Sequence, residues 1–367
     1  MTNVSLDNAK YTFDQLEDQY NGFRVPAIRL KVGGSDVTLA EGMVVSTLTL
    51  ETTTTQEADV LRFSVADSYD PVKREFLWLD KVLALGKEIE AHLGYGDKLH
   101  PVFFGYITAV GVHYSNEGSV EVQVTAMDPS FKLMRGREFK SFRGKKVSDI
   151  VREIANSYGL SCEIDATNDV IPVLFRKPES DFQFLHELAL SVNYEFFVVG
   201  KKLYFRQKGA NQNPFSTLRL GTHLMKVSIE HNLSEQITQV RVRSWDPLDQ
   251  KTIEARSTQV NRIGDNKKTG PALLKALSGE LEEVLFVNGY DKLRAQCLAD
   301  AVLNEHALRL VSGEAECIGL PEIRSGRYFK LEGLGKNLDN IYYIDRATHV
   351  IDDTGYVTNF TFQGNAV

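Results

Sequence analysis

YITAVGVHYSNEG at residues 106–118 and YIDRATHVIDDTG at 343–355 both open on Tyr-Ile and both close on a Gly twelve residues after the Tyr. Around each copy the same punctuation recurs in the same order. Gly86, the Gly94-x-Gly96 turn, Tyr106-Ile107 and Gly118-x-Val120 run through the first half, and Gly326, Gly333-x-Gly335, Tyr343-Ile344 and Gly355-x-Val357 through the second. Upstream, VVSTLTLE (44–51) and VLRFSVAD (60–67) find counterparts in MKVSIEH (225–231) and QVRVRSWD (239–246). A helical stretch precedes each Gly-led strand, at 71–83 and at 290–311. Each match is short, but their shared order marks an internal duplication.

What is duplicated reads as β-structure. IRLKV (28–32), MVVSTLTLE, VLRFSVADS, LGKEIEAHL, VFFGYITAVGVHY and SVEVQVTAMD alternate apolar and polar residues, as half-buried strands do, and Gly and Asp turns break them at regular intervals. That pattern predicts an antiparallel sandwich or barrel, here two copies of one small barrel with a helix. Between about 129 and 210 the period changes. Val147, Ile150, Val151, Ile154, Ala155 and Tyr158 mark an amphipathic helix that stops at Gly159, a natural left-handed cap. Ser180 with Gln183 forms a capping box before a second helix carrying Phe182, Leu185, Ala189 and Val192. The dense runs 194–199 and 203–205, split by Gly200-Lys201, then read as a hairpin. The fold class is therefore a β-rich α+β chain: two tandem antiparallel β-barrels with an α+β insert between them. The expected divisions are an arm at 1–24 that orders against a partner, a first barrel at 25–128 and an insert at 129–214. A second barrel at 215–367 carries an inserted loop and helix at about 250–311.

A chain of 367 residues is too long for one ordinary core. With 43% hydrophobic residues it can bury sizeable cores, which excludes a disordered chain, and a net charge of −7 argues against a general nucleic-acid binder. Cys162, Cys297 and Cys317 are odd in number and lack C-x-x-C spacing, so a reducing compartment at synthesis is expected, with neither a disulfide framework nor a zinc site. The N-terminus carries no signal-peptide pattern and no apolar run reaches spanning length, so the expectation is a soluble chain made in the cytosol without membrane insertion.

The residues that attract a search for chemistry have simpler readings. His186 and Glu187 lie on the short helix with no second ligand or nucleophile at useful spacing, which makes them framework. The Gly94-x-Gly96 and Gly333-x-Gly335 pairs lack the third Gly or the Lys-Ser/Thr of a phosphate loop and read as hairpin turns. His92, Asp97 and His100 gather around the first turn without an assured third ligand. There is no G-x-S-x-G elbow or H-E-x-x-H, while carboxylates paired only in space, as glycan cleavage uses, stay open at this level. The basic run RGREFKSFRGKK (135–146) fits a strand with Phe inward and Arg135, Arg137, Lys140, Arg143, Lys145 and Lys146 in solvent. A contact with another protein, or single-stranded nucleic acid gripped through Phe139 and Phe142, are its alternatives. No catalytic, cofactor-binding or metal residue is assigned.

Five runs in order carry a family resemblance: FFGYITAVGV, VEVQVTAMDPSFKLMRGREFKSFRGKKVSDIVREIANSYGL, SDFQFLHELALSVNYEFFVVGKKLYF, WDPLDQKTIEA and LPEIRSGRYFKLEGLGKNLDNIYYIDRATHVIDDTGYVTNFTF. Together they resemble the late control D family of phage tail hub proteins. That fold also forms the N-terminal part of valine-glycine repeat protein G of type VI secretion and the hubs of extracellular contractile injection particles. The resemblance covers about residues 25 to 363. It implies tube-like barrels and a homotrimer whose doubled barrels present a pseudo-sixfold face to a hexameric inner tail tube and a threefold face to a trimeric spike. It further implies baseplate partners, no cofactor, no nucleic-acid specificity and no enzymatic activity, in a protein made in the bacterial cytoplasm and built into a tail or injection particle. Valine-glycine repeat protein G continues into an OB-fold and β-helix where this sequence ends at Val367, so the spike is expected to be a separate chain. The competing expectations are a tail enzyme cleaving cell-wall glycan and a monomeric carbohydrate-binding β module.

Overall fold

A computed structural model describes all residues except 1–3, 7–8, 67, 80, 115–119 and 247–249. Gly118 of the duplicated pattern, Asp67 and the centre of WDPLDQ lie outside the described residues.

The chain opens with helix α1 (Phe13–Gln19), started by a capping box between Thr12 and Gln15. Strands β1 (Pro26–Val32), β2 (Ser35–Asp36), β3 (Val45–Thr53), β4 (Val60–Val65), β5 (Tyr69–Asp70), β6 (Glu75–Phe76), β7 (Glu88–Tyr95), β8 (Lys98–Tyr114) and β9 (Val120–Met127) follow. The insert comprises α2 (Ser130–Leu133), β10 (Glu138–Lys146), α3 (Val147–Ser157), β11 (Ser161–Ile164), β12 (Val170–Glu179), α4 (Asp181–Ser191), β13 (Tyr194–Val199) and β14 (Lys202–Gln207). The second half holds β15 (Pro214–Arg219), β16 (Leu224–His231), β17 (Gln239–Asp246), β18 (Lys251–Ser257), α5 (Gly270–Ser278), β19 (Glu282–Asn288) and α6 (Lys292–Leu308). It closes with β20 (Val311–Ile318), β21 (Tyr328–Glu332), β22 (Ile341–Asp352) and β23 (Gly355–Gly364).

Thirteen strands form one sheet that crosses both halves, and each half repeats one strand order. It runs β1-β7-β8-β9-β4-β3 in the first and β15-β21-β22-β23-β20-β16 in the second, joined where β3 pairs antiparallel with β22. The halves differ at one end: β1 is antiparallel to β7, whereas β15 is parallel to β21. Tyr106 is the residue at which β8 passes from β7 to β9, opposite Glu88 and Met127. Tyr343 does the same on β22, opposite Tyr328 and Gln363. The next residues agree to the hydrogen bond: Gly86 N donates to Ile107 O at 2.8 Å and Gly326 N to Ile344 O at 2.9 Å. Both long strands then bulge at the same step, between Ile107 and Ala109 and between Ile344 and Arg346. A bulge turns one extra residue out of register and bends the strand. The alternation sends Leu48, Leu50, Phe63, Val122, Val124, Ala347, Phe360 and Phe362 into one core beneath both halves.

The duplication differs from the sequence reading in two places. MKVSIEH falls in β16, the counterpart of β3, as expected, but the place of β4 is taken by β20 and not by QVRVRSWD. That run is β17, the centre of a separate sheet β18-β17-β19 whose apolar face, with Val240, Val242 and Ala255, is covered by Ala295, Ala299 and Leu303 of α6. Residues 71–79 and 81–83 form turns around the β5–β6 pair in place of the expected helix. Asp70 is the reason: its carboxylate accepts the N–H groups of Val72 and Lys73, its carbonyl accepts Arg74 N, and Arg74 takes a φ of 59°.

The insert follows its sequence more closely. Gly159 caps α3 at a φ of 70°, the Ser180–Gln183 capping box opens α4, and Gly200 turns the β13–β14 hairpin at a φ of 59°. Its core sets Phe182, Leu185 and Phe196 against Ile150, Val151 and Ile154 of α3. The described part of the N-terminal segment, expected to order against a partner, also packs on the chain itself. Leu16 and Tyr20 are fully buried in the main core, Leu6 N donates to Tyr204 Oη at 2.9 Å, and Val4 O lies so close to Gly200 that a Cβ there would meet it at 2.3 Å. No helix among the described residues is long and apolar enough to cross a membrane.

Candidate functional site

A group of buried polar side chains converges on the loop 319–327, GLPEIRSGR, between β20 and β21. A loop in the interior needs partners for its polar groups, and this one draws them from all four parts of the chain. From the N-terminal segment, Tyr20 Oη donates to Glu322 at 2.6 Å, and Ala9 O accepts Arg327 Nη2 at 2.9 Å. From the first half, Tyr95 Oη donates to Gly319 O at 2.8 Å and Val102 O accepts Arg324 Nη1 at 2.9 Å. From the insert, Arg206 donates to Gly326 O at 2.6 Å and to Glu195 at 2.6 Å, and Tyr343 of the second half donates to the other Glu195 oxygen at 2.6 Å. Gly326 has a φ of 85°, and a Cβ on it would press on Phe197 at 3.0 Å.

Arg324 also pairs with Asp59, whose carboxylate accepts Thr53 N at 2.9 Å. Asp128 sits alongside, its backbone N–H on Asp59 O at 3.1 Å and its carboxylate on Ser130. Burial pushes the Asp59 carboxyl up, against the Arg324 charge that pulls it down. Burial and then the neighbouring Asp59 charge push Asp128 well above the usual carboxylate range. One guanidinium thus faces two carboxyls, and the charge balance favours ionised Asp59 with protonated Asp128. Two carboxyls of unlike affinity are the currency of glycan cleavage, but each of these is 3% exposed. The cavity nearest Arg324 holds about 20 Å³, room for one water and not a sugar. The cluster fixes the joint between the halves and offers no place for a substrate.

His349 on β22 lies in the same layer, its Nε2 2.9 Å from Ile323 O and its Nδ1 3.0 Å from Thr358 Oγ1. Burial holds it neutral, lowering its pKa from the ordinary 6.5 to about 3. A depressed base binds its proton in the unfolded chain first, so its contribution is present above 6.5 and is lost as pH falls toward 3. Denaturant titrations between pH 7 and pH 4.5 should show wild type losing up to ~1.4 kcal/mol per pH unit more than His349→Gln. Parallel slopes would refute the assignment.

The other face of the long sheet is polar across both halves. Thr49, Glu51, Arg62, Gln123, Thr348, Asn359, Glu314 and Lys226 point away from the core. Over the second half they line a shallow depression of about 250 Å³. At the β3–β22 seam Arg346 ties Glu51 to Glu57, the latter at 2.8 Å.

Of the residues weighed from the sequence, His186 is half-buried on α4 at the edge of a cleft of about 350 Å³, and Glu187 is exposed. Gly96 turns β7 into β8 at a φ of 55°, and Gly333 and Gly335 lie in the β21–β22 turn. His92 is buried beside Glu90, whereas Asp97 is exposed, and among the described residues no group of three or more His, Cys, Asp or Glu is placed to hold a metal ion. In the basic run Phe142 packs inward on Phe184, but Phe139 turns out to stack on Phe175, correcting the reading of both as inward. Lys140 and Lys145 are taken up by Glu153.

This doubled sheet with an inserted α+β unit is the fold of tail proteins. The 43 kDa tail protein of prophage MuSo2 from Shewanella oneidensis is similar at a TM-score of 0.70 and 12% identity, over 92% of this chain and 98% of its own. A tail protein from Neisseria meningitidis MC58 is similar at 0.68 and 13%, over 93% and 97%. The Escherichia coli c3393 protein, a component of the type VI secretion system, is similar at 0.56 and 12%, over 92% and 77%. A family model described as the Alg8 N-terminal domain matches residues 30–353, and the chain belongs to that family. The description differs from the late control D name that the order of motifs suggested. No curated protein matches the sequence.

Proposed function

We propose that this chain is a structural hub of the late control D type, a homotrimeric adaptor that joins a hexameric inner tube to a trimeric spike in a contractile tail or injection system. One observation carries the reading: a single continuous sheet contains the same six-strand order twice, down to the bulge after Tyr106 and Tyr343. Three copies of a doubled unit present six similar faces to a sixfold tube while keeping threefold symmetry elsewhere. The largely polar face suits the wall of a channel through which cargo passes without binding. Residues 25–128 and 215–367 act as the two tube-like units and 129–214 as the insert that braces them. The role is non-enzymatic, which fits a buried junction whose carboxyls meet no substrate.

Electron microscopy of assembled particles tests this. Three copies of the chain should lie beneath six tube subunits, with the two halves of each copy alternating around the ring. Six copies in a closed ring, or density for the chain away from the tube end, would overturn it.

A further inference from the structure

Among the described residues one strand pairing joins the two halves, and each half carries one member of it. In the first half that member is β3, whose outer edge pairs with β22 from Arg346 to Ile351, opposite Thr53 to Leu48. The counterpart of β3 is β16, since Leu48 lies opposite Phe63 as Val227 lies opposite Ala315. The counterpart of the β22 edge is β8 beyond its bulge, from Ala109 to Tyr114, on the side where β7 has already left. Among the described residues neither the outer edge of β16 past Leu224 nor that edge of β8 has a strand partner.

We infer that β16 of one copy pairs antiparallel with β8 of the next, repeating between chains the β3–β22 seam within the chain. The inference rests on the trimeric reading and names the surfaces that would make the ring. Carrying the register across puts Val227 opposite Tyr114, Ser228 opposite His113 and Ile229 opposite Val112 of the second copy. The faces agree, because Ile229 and Val112 lie on the core side and Ser228 and His113 on the polar side. So does burial. Leu48 and Leu50, covered by the seam, are 0% exposed, while their counterparts Val227 and Ile229 are only half-buried and Tyr114 is 66% exposed. An unpaired edge flanked by half-covered apolar side chains is a template for another strand. The partner it fits is a second copy, since the complementary edge sits on the same chain. The contact is head-to-tail, so it repeats until it closes on itself.

Cysteines placed across the inferred seam test it in the full chain. Both positions of the pair S228C/H113C are exposed, and residues directly opposite in an antiparallel pair lie about 4.5–5.5 Å apart at Cα, within disulfide reach. On mild oxidation this double variant should yield covalent dimers and trimers on a non-reducing gel. The single variants, and S228C/V112C with side chains on opposite faces, should stay at the level of the parent protein with its native cysteines. Trimers by light scattering without cross-links in S228C/H113C would overturn the seam and leave the trimer standing. Cross-links that run on into long ladders would support the seam and overturn ring closure. A monomer at every concentration that never cross-links would overturn both.

Discussion

Arg324→Ala should be among the most damaging single substitutions in the chain, costing about 3–5 kcal/mol, because it strands a buried carboxylate without its counter-charge. Asp59 and Asp128 are each 3% exposed, and Arg324 is the cation that faces them while also holding Val102 O. Without it the fold can only keep Asp59 protonated, which raises that carboxyl further above its unfolded value. The sign of the pH effect follows: a raised carboxyl contributes stability below its unfolded pKa and loses it as pH climbs through the folded one. The deficit of Arg324→Ala relative to wild type should therefore be largest near neutral pH and shrink as pH approaches about 4, where the unfolded carboxyls also protonate. Replacing the pair together, as Arg324→Met with Asp59→Leu, should recover part of the loss, since a buried ion pair is often matched by apolar residues of similar volume. Denaturant unfolding of wild type, Arg324→Ala and the double variant at several pH values measures all of this. A deficit under about 1 kcal/mol, or one that grows in acid, would contradict the buried pairing.

That junction was not legible in the sequence, and the reason is distance along the chain. Asp59, Asp128 and Arg324, or Glu195, Arg206 and Tyr343, share no local spacing; they meet because three segments fold onto one loop. A weak signal existed, in that Glu195 interrupts the apolar run YEFFVV, where an unpaired charge would be costly. Local rules served better. The period of α3, the left-handed cap at Gly159 and the capping box at Ser180 were all readable because they depend on neighbours within a turn. The capping box Thr12–Gln15 was equally readable and marks α1, with Leu16 and Tyr20 one helical turn apart on its buried side. The duplicated Tyr-Ile and Gly order placed β8 and β22 correctly, yet VRVRSW could not be told from VLRFSV. Both alternate with period two, and periodicity says that a strand exists without saying which strand it joins.

The helix α4 gives the remaining test, because it holds a buried Leu next to a His that a search for catalysis would choose first. Leu185 is 0% exposed within the cluster of Phe182, Phe196, Ile150 and Val151. Leu185→Ala removes that packing and leaves a cavity that α3 and the β13–β14 hairpin cannot fully close, so it should cost about 2–5 kcal/mol. His186, half-buried at the wall of the cleft between α4 and α6, is kept toward its neutral form by burial, and Glu187 beside it is exposed. His186→Ala and Glu187→Ala should each stay within about half a kcal/mol of wild type. Under the proposed hub role the ranking should carry over to assembly: Leu185→Ala should impair incorporation of the chain into particles, whereas the two polar variants should give particles that still infect or inject. A catalytic α4 would invert that order, with normal assembly and a lost hydrolytic activity in His186→Ala or Glu187→Ala. Thermal unfolding of the purified variants, set beside turnover on peptidoglycan by the same preparations, separates the two outcomes.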